Sequence, residues 1–386
     1  MFLYKSAVSM PLSKPDLPVI DVPDEYGGGT WDPESWVASL FDNDDETHQL
    51  WCIIGAILRP NVPWDKALFF VGEDGAGGKS TVTELLRALV GVGNYSSMSV
   101  SDFTATGSEF RFEELPEVMA IIADENEDEY LDKSKRFKLT VTKEDQQFQR
   151  KYQKSITVAL RCIAIQCFNS DPRIKDRTSA FYRRLMYVPF LKNFLKDGTK
   201  NPLIKRDYVH RKEVLEYILY KVMHMEDYYE IPETESGSKA LAGLREDNDP
   251  IMQFWLYHKD RFMLDYYPTE LIYDIYRGWH ANTNPASEKP AGQTLFRKRL
   301  ASVLRLLESD EWSATDSMYV KKYVPNEPVE LLILEYDTCS KWRNPTYKGD
   351  VKSRICTIPT ARMYNDKGNG RGFLRITAND SCGVTS

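Results

Sequence analysis

The chain has 386 residues, 42% hydrophobic and 12% aromatic, and a formal net charge of −7. That length supports two or three domains with sizeable cores, and no run of 18 apolar residues reads as a membrane span. The acidic balance excludes bulk attraction to nucleic acid, so any such contact must come from local basic patches.

Residues 1–30 hold four prolines (11, 15, 18 and 23) and end near Gly27-Gly28-Gly29, which reads as a linker or arm. They carry no apolar leader core or cleavage signature. The six cysteines (52, 162, 167, 339, 356 and 382) lie far apart without a C-x-x-C pair. This usage suits packed thiols in a reducing cytoplasm rather than a disulfide framework. Residues 31–63 read as an N-terminal helical region, with Trp36, Val37, Leu40 and Phe41, then Leu50, Trp51, Ile54, Ile57 and Leu58, at helical spacing.

Residues 64–192 alternate apolar strand runs with helical patterns, as a mostly parallel α/β sheet requires. The first run, Leu68–Val71, enters a glycine-rich loop, and Gly78-Lys79-Ser80-Thr81 opens a helix with Val82, Leu85, Leu86, Leu89 and Val90 on one face. Such a loop wraps a nucleoside triphosphate, because amide groups converge on phosphates only where side chains do not block them. Gly75, Ala76, Gly77, Gly78, Lys79, Ser80 and Thr81 are the expected cradle. Lys79 reaches the outer phosphates, and Ser80 is a ligand for Mg²⁺. The spacing departs from G-x-x-x-x-G-K-[ST]: Glu73 stands where the first glycine belongs and Gly72 one residue earlier, so Gly75 is an alternative first turn. A ligand-free glycine turn is the plainer alternative.

A second run, Val118–Ala123, ends in Asp124-Glu125. Hydrolysis needs one carboxylate for the metal and another to orient water, and Asp124 and Glu125 are read in those roles. The acidic Glu127, Asp128 and Glu129 read as a solvated turn. A third run, Ile163–Phe168, ends in Asn169, whose amide suits a γ-phosphate or lytic water; a turn-forming asparagine is the alternative. Arg183-Arg184 then precede Leu185–Phe190. A guanidinium on the transferring phosphoryl group stabilises its charge, and one lent by a neighbouring subunit makes hydrolysis depend on assembly. A surface arginine pair is the alternative.

Residues 139–158 read as a protruding hairpin with β-branched ends and a basic middle. Lys143, Arg150, Lys151 and Lys154 are candidate grips on DNA phosphates, with Phe148 or Tyr152 stacking on a base. Residues 64–248 are thus one core, the last part polar and helical. From 249 to 328 helices at 250–263, 268–282 and 292–308 precede a strand pair near Trp312 and Tyr319–Val324, the order of a winged helix-turn-helix. Arg297, Lys298, Arg299 and Arg305 give the third helix a basic face. A helical lid with a solvated face is the alternative. Residues 329–386 read as a β-rich extension with a turn at Gly368–Gly372.

In this order the pieces resemble a superfamily 3 helicase of the phage, plasmid and poxvirus primase-helicase type. The matching positions are Gly75–Thr81, Asp124-Glu125, Phe137-Lys138-Leu139 with Arg150-Lys151, Cys167–Pro172, Ala180–Leu185 and Val188-Pro189-Phe190. Gly77 replaces a frequent asparagine, and Lys143-Glu144 replaces a glycine-aspartate pair. The resemblance implies an α/β fold: an AAA+-like P-loop ATPase core with a parallel sheet, an N-terminal helical region and a C-terminal winged-helix-like domain. It implies ATP and Mg²⁺ as cofactors, single-stranded DNA as partner, a hexameric homo-oligomer in the cytoplasm and 3′→5′ movement. It also implies that Asn169 is a sensor and that Arg183 or Arg184 acts in trans. The chain has no room for the primase-polymerase domain such helicases often carry, so the helicase portion alone is expected. A nucleotide-dependent initiator or packaging-type switch that assembles on DNA without unwinding it, and a small-molecule kinase, are the competing readings.

Overall fold

The chain enters through an antiparallel ribbon, β1 (Ile20–Asp21) and β2 (Thr30–Trp31), turned by Gly27, Gly28 and Gly29, all at positive φ. In the computed structural model described residues are 6–59, 64–72, 75–103, 112, 115–126, 130–131, 134–148, 154–226, 230–263, 266–283, 289–309, 311–319, 332–342 and 369–376. The ribbon departs from the linker expectation for 1–30. Ile20 and Trp31 are buried in the core, and Ser6 Oγ donates to the Leu89 carbonyl at 2.6 Å. Apolar residues between the prolines decided this. Two helices follow, α1 (Pro33–Ser39), capped by Asp32, and α2 (Asp44–Ile57), capped by Asn43.

The chain divides at 248/249 into two units. The first is built on a five-stranded parallel sheet. Its strands are β3 (Ala67–Val71), then, after α3 (Lys79–Val90), β4 (Tyr95–Ser96) and β5 (Ala120–Asn126). A two-residue strand, β6 (Tyr130–Leu131), α4 (Lys135–Val141) and the hairpin β7 (Asp145–Phe148) and β8 (Ile156–Ala159) come next. After them run β9 (Ile163–Phe168), β10 (Arg173–Ile174, paired with β6), α5 (Ser179–Tyr182) and β11 (Leu185–Pro189). The spatial order is β11-β3-β9-β5-β4, every pair parallel. The unit ends with α6 (Pro202–Arg206), α7 (Lys212–Met223) and α8 (Glu235–Asp247).

The strands are continuously apolar because both faces are covered. Leu68, Phe70, Ile122, Ile165 and Val188 face one cluster with Val37, Ile53, Leu86 and Ile218 from α1, α2, α3 and α7. Ala67, Phe69, Ile121, Ala164 and Tyr187 face the other, with Phe137, Phe148, Phe181 and Leu244 from α4, the hairpin, α5 and α8.

The second unit is α9 (Pro250–His258), β12 (Tyr266–Pro268), α10 (Thr269–Thr283), α11 (Gln293–Leu306), β13 (Trp312–Tyr319), α12 (Leu332–Glu335) and β14 (Asn369–Arg375). An antiparallel sheet runs β12-β14-β13. The three helices lie where the spacing puts them. The partner of β13 does not: Trp312–Tyr319 pairs with Asn369–Arg375 rather than with the next residues, and 320–331 lie outside the described residues. Two expectations for 329–386 are corrected. Residues 332–342 are helical, because Leu332, Ile333, Cys339 and Trp342 pack on the helical core. Gly370 and Gly372 belong to the central strand rather than to a turn. The remainder of 329–386 lies outside the described residues.

Candidate active site

Three adjacent strands deliver the chemistry to one edge. Val71 lies opposite Phe168, and Ala123 opposite Gln166, so the residues after β3, at the end of β5 and after β9 leave the sheet side by side. From β3 the chain crosses to β4 on one side, while β11 lies on the other; the carboxyl ends at such a divergence form the crevice in open α/β sheets.

The loop after β3 is shaped by close backbone approach. Gly75 and Gly78 have φ of +63° and +91°, so Gly75 does make a left-handed turn. A Cβ on Gly77 would stand 2.8 Å from the Phe190 carbonyl oxygen, and one on Gly72 2.5 Å from the same atom. Glu73 and Asp74 lie outside the described residues. Lys79, only 6% exposed, donates to the Asn169 Oδ1 at 3.0 Å and to the Gly72 carbonyl. Burial lowers its pKa. The nearby Cys167 thiol is itself pushed up to about 12 by burial and the Asp124 charge, against Lys79 and Arg87.

At the end of β5 the pairing with β9 slips between Ala123 and Asn126. Such an irregularity re-aims side chains. Asn126 pins the slip, accepting from Val100 N at 2.9 Å and donating to the Cys167 carbonyl at 3.0 Å. Glu125 is exposed, while Asp124 is drawn onto α3. The Thr83 hydroxyl donates to its Oδ1 at 2.6 Å, and Arg87 forms an ion pair with its Oδ2. The sequence reading missed Thr83 and Arg87. Their signal was present, since 80, 83 and 87 share a helix face.

A cavity of about 600 Å³ adjoins the loop. Gly75, Ala76, Gly78, Ser80 and Thr81 form its floor; Trp31 and Trp36 from the arm and α1, and Phe194, Lys200 and Lys205 from the 194–206 segment, form walls. The Phe194 N–H donates to the Ala76 carbonyl at 3.2 Å, tying that segment to the loop. A concave site with aromatic walls and basic groups suits a nucleotide. Residues 31–63 read only as packed helices and 193–248 only as a polar helical stretch, so the sequence gives no sign of these walls.

Of the residues expected to hold Mg²⁺, Ser80 opens into the cavity and Asp124 supplies a carboxylate, a hard-oxygen set. Among the described residues no cluster of three His, Cys, Asp or Glu could form a protein cage.

The opposite edge carries the arginines. Leu185 pairs with Ala67, so Arg183 and Arg184 precede the amino end of β11, roughly 15 Å along the strands from the loop. The Arg184 guanidinium donates to the Ala180 carbonyl, while the Arg183 side chain is exposed. Neither meets the glycine-rich loop of its own chain.

The hairpin is shorter than expected. Leu139–Val141 is helical, in α4, because Phe137, Thr140 and Val141 bury one face. Phe148 is buried in the core and cannot stack on a base. Lys143, at φ +54°, is half-buried at the hairpin's foot, where burial lowers its pKa to about 8 beside Cys162 and Arg161. Lys154 is exposed; Arg150, Lys151 and Tyr152, and Glu127, Asp128 and Glu129, lie outside the described residues. In the second unit, Arg299 pairs with buried Asp249 and Arg297 donates to the Thr315 carbonyl at 3.0 Å. This leaves Lys298 and Arg305 as the exposed bases of α11.

Residues 70–184 match a family of unknown function, DUF5906, and residues 246–342 match the poxvirus D5 protein-like family. Each match covers less than half of the chain. Three apo structures of the NrS-1 C-terminal region are similar, at 16%, 12% and 14% identity and TM-scores of 0.46, 0.47 and 0.49. They cover 76%, 95% and 80% of this chain, and 64%, 77% and 76% of theirs. The chain thus spans 64% of the first matched structure. No curated protein matches. No helix among the described residues is long and apolar enough to cross a membrane.

Proposed function

We propose that this chain is the ATP-driven motor of a replicative DNA helicase of primase-helicase type, completed by assembly into a ring. One observation carries the reading: the Lys79 ammonium, leaving a glycine-bounded loop, is held by Asn169 from the next strand beside a nucleotide-sized cavity. The poxvirus D5-like match over 246–342 supports the replication context. The α9-β12-α10-α11-β13 order, with β14 from beyond α12 as the central strand, supports a winged helix-turn-helix in the second unit.

ATP with Mg²⁺, when bound, would supply the transferable phosphoryl group. Lys79 and the amides of Gly75–Ser80 neutralise and orient phosphate oxygens. Ser80 and Asp124 would hold the metal, exposed Glu125 orients water, and Asn169 positions Lys79. Arg183, out of reach of its own site, serves a neighbouring copy's. Lys154 on the hairpin, with Arg150 and Lys151, contacts single-stranded DNA.

The test is strand displacement on forked DNA with the wild-type chain and Lys79→Ala. ATP-dependent displacement lost in Lys79→Ala supports the reading. ATP hydrolysis without displacement would favour the initiator instead, and absence of ATP binding would remove both.

A further inference from the structure

The Asp124 carboxylate is engaged on both oxygens by side chains of α3. Thr83 holds Oδ1 at 2.6 Å, and the Arg87 guanidinium holds Oδ2 while also donating to the Ile122 carbonyl at 3.1 Å. Arg87 has a second acidic neighbour on its own helix: its Nη1 stands 3.9 Å from Glu84 Oε2, one turn back. Its guanidinium also lies 5.4 Å from the centre of the Tyr95 ring. Glu84 in turn faces His210 at 3.5 Å, just beyond α6, whose residues line the cavity.

A carboxylate shared with a guanidinium attracts a divalent cation less, and a guanidinium close to that cation is repelled by it. The same repulsion is relieved if Arg87 moves onto Glu84. We propose that Arg87 and Glu84 are positioning residues that set the metal affinity of the nucleotide site: Arg87 and the metal compete for Asp124, and Arg87 transfers to Glu84 when Asp124 takes Mg²⁺. This rests on Asp124 being the metal ligand. Two discrete resting places make the pair a two-state element, and the ion that binds only one state shifts the balance.

The two carboxylates predict effects of opposite sign. Binding of a fluorescent ATP analogue to the full chain is measured without Mg²⁺ and across a Mg²⁺ titration, so that turnover is not the readout. Arg87→Met frees Asp124 and should lower the half-saturating Mg²⁺ concentration several-fold. Glu84→Gln removes the alternative seat and should raise it several-fold. Both should leave Mg²⁺-free analogue binding within twofold. Arg87→Lys, which keeps a cation on the helix, should stay near wild type and guards against a folding loss in Arg87→Met. A rise in Arg87→Met would mean that Arg87 merely props Asp124 in place, and unchanged Glu84→Gln would mean that no transfer occurs; either overturns the proposal. Asp124→Asn separates the two levels. If it abolishes the Mg²⁺ dependence while Arg87→Met and Glu84→Gln do nothing, only the transfer fails. If it leaves the Mg²⁺ dependence intact, the metal assignment and the transfer fail together.

Discussion

The two edges of the parallel sheet differ in what they leave unfinished. At the carboxyl edge Lys79, Asn126, Thr83 and Asp124 are all partnered within the chain, and Lys79 and Asn126 are buried. At the amino edge Arg183 projects into solvent, and the hairpin ends in exposed Lys154. A buried polar group must find its partners within the fold or cost it about 1–3 kcal/mol, whereas a solvated one can wait for a partner from outside. On the proposed reading, the first edge receives the nucleotide and the second meets DNA and a neighbouring copy.

That contrast can be broken most sharply with Lys79. Lys79→Ala should reduce ATP turnover by a factor of at least about 10³ while leaving the thermal transition intact. Turnover within tenfold of wild type would remove the carboxyl edge as the active site. Arg183→Ala should lower kcat by about 10³ with nucleotide affinity unchanged. Because Arg183 is proposed to act in trans, mixing it with Lys79→Ala protomers should recover part of the activity, which a site complete within one chain would not do. Gly77→Ala tests the packing of the loop. Its Cβ would meet the Phe190 carbonyl at 2.8 Å, so ATP affinity should fall roughly tenfold, read by calorimetry.

Acid should expose a different anchor. Burial alone would raise Asp176, but hydrogen bonds from Lys138, Ser134 and Thr178 hold it down to about 2. A depressed carboxyl stabilises the fold above its unfolded value near 4 and loses that contribution as pH falls towards 2. Asp176→Asn should flatten the stability decline in this window, measured by urea midpoints. The smallest effect belongs to the hairpin. Lys154→Ala should reduce the slope of log affinity for single-stranded DNA against log salt by about 0.7, the share of one phosphate contact.

The strand runs, the glycine loop and the acids and amide that end the strands were readable because each is a local pattern. A strand buried on both faces is apolar throughout, and Asp124 and Asn169 stand directly after such runs. The errors share a cause as well. Leu139–Val141 has β-branched character but was claimed by the helix that buries Phe137. Phe148 stands in a polar stretch, yet its strand alternation turns it inward. Arg299 looked like part of a basic face until buried Asp249, 50 positions earlier, claimed it.

The amino-acid order by itself determined that a glycine-rich loop follows the first buried strand, which residues flank it and that a parallel sheet supports it, since those follow from turn chemistry and side-chain periodicity within a few residues. Only the tertiary structure decided that Trp31, Trp36 and Phe194 wall one cavity, that Arg87 grips Asp124, and that β14 pairs with β13. Those contacts join positions dozens to more than a hundred residues apart. Their selection rests on burial and charge compensation in the folded chain, which no local window of sequence contains.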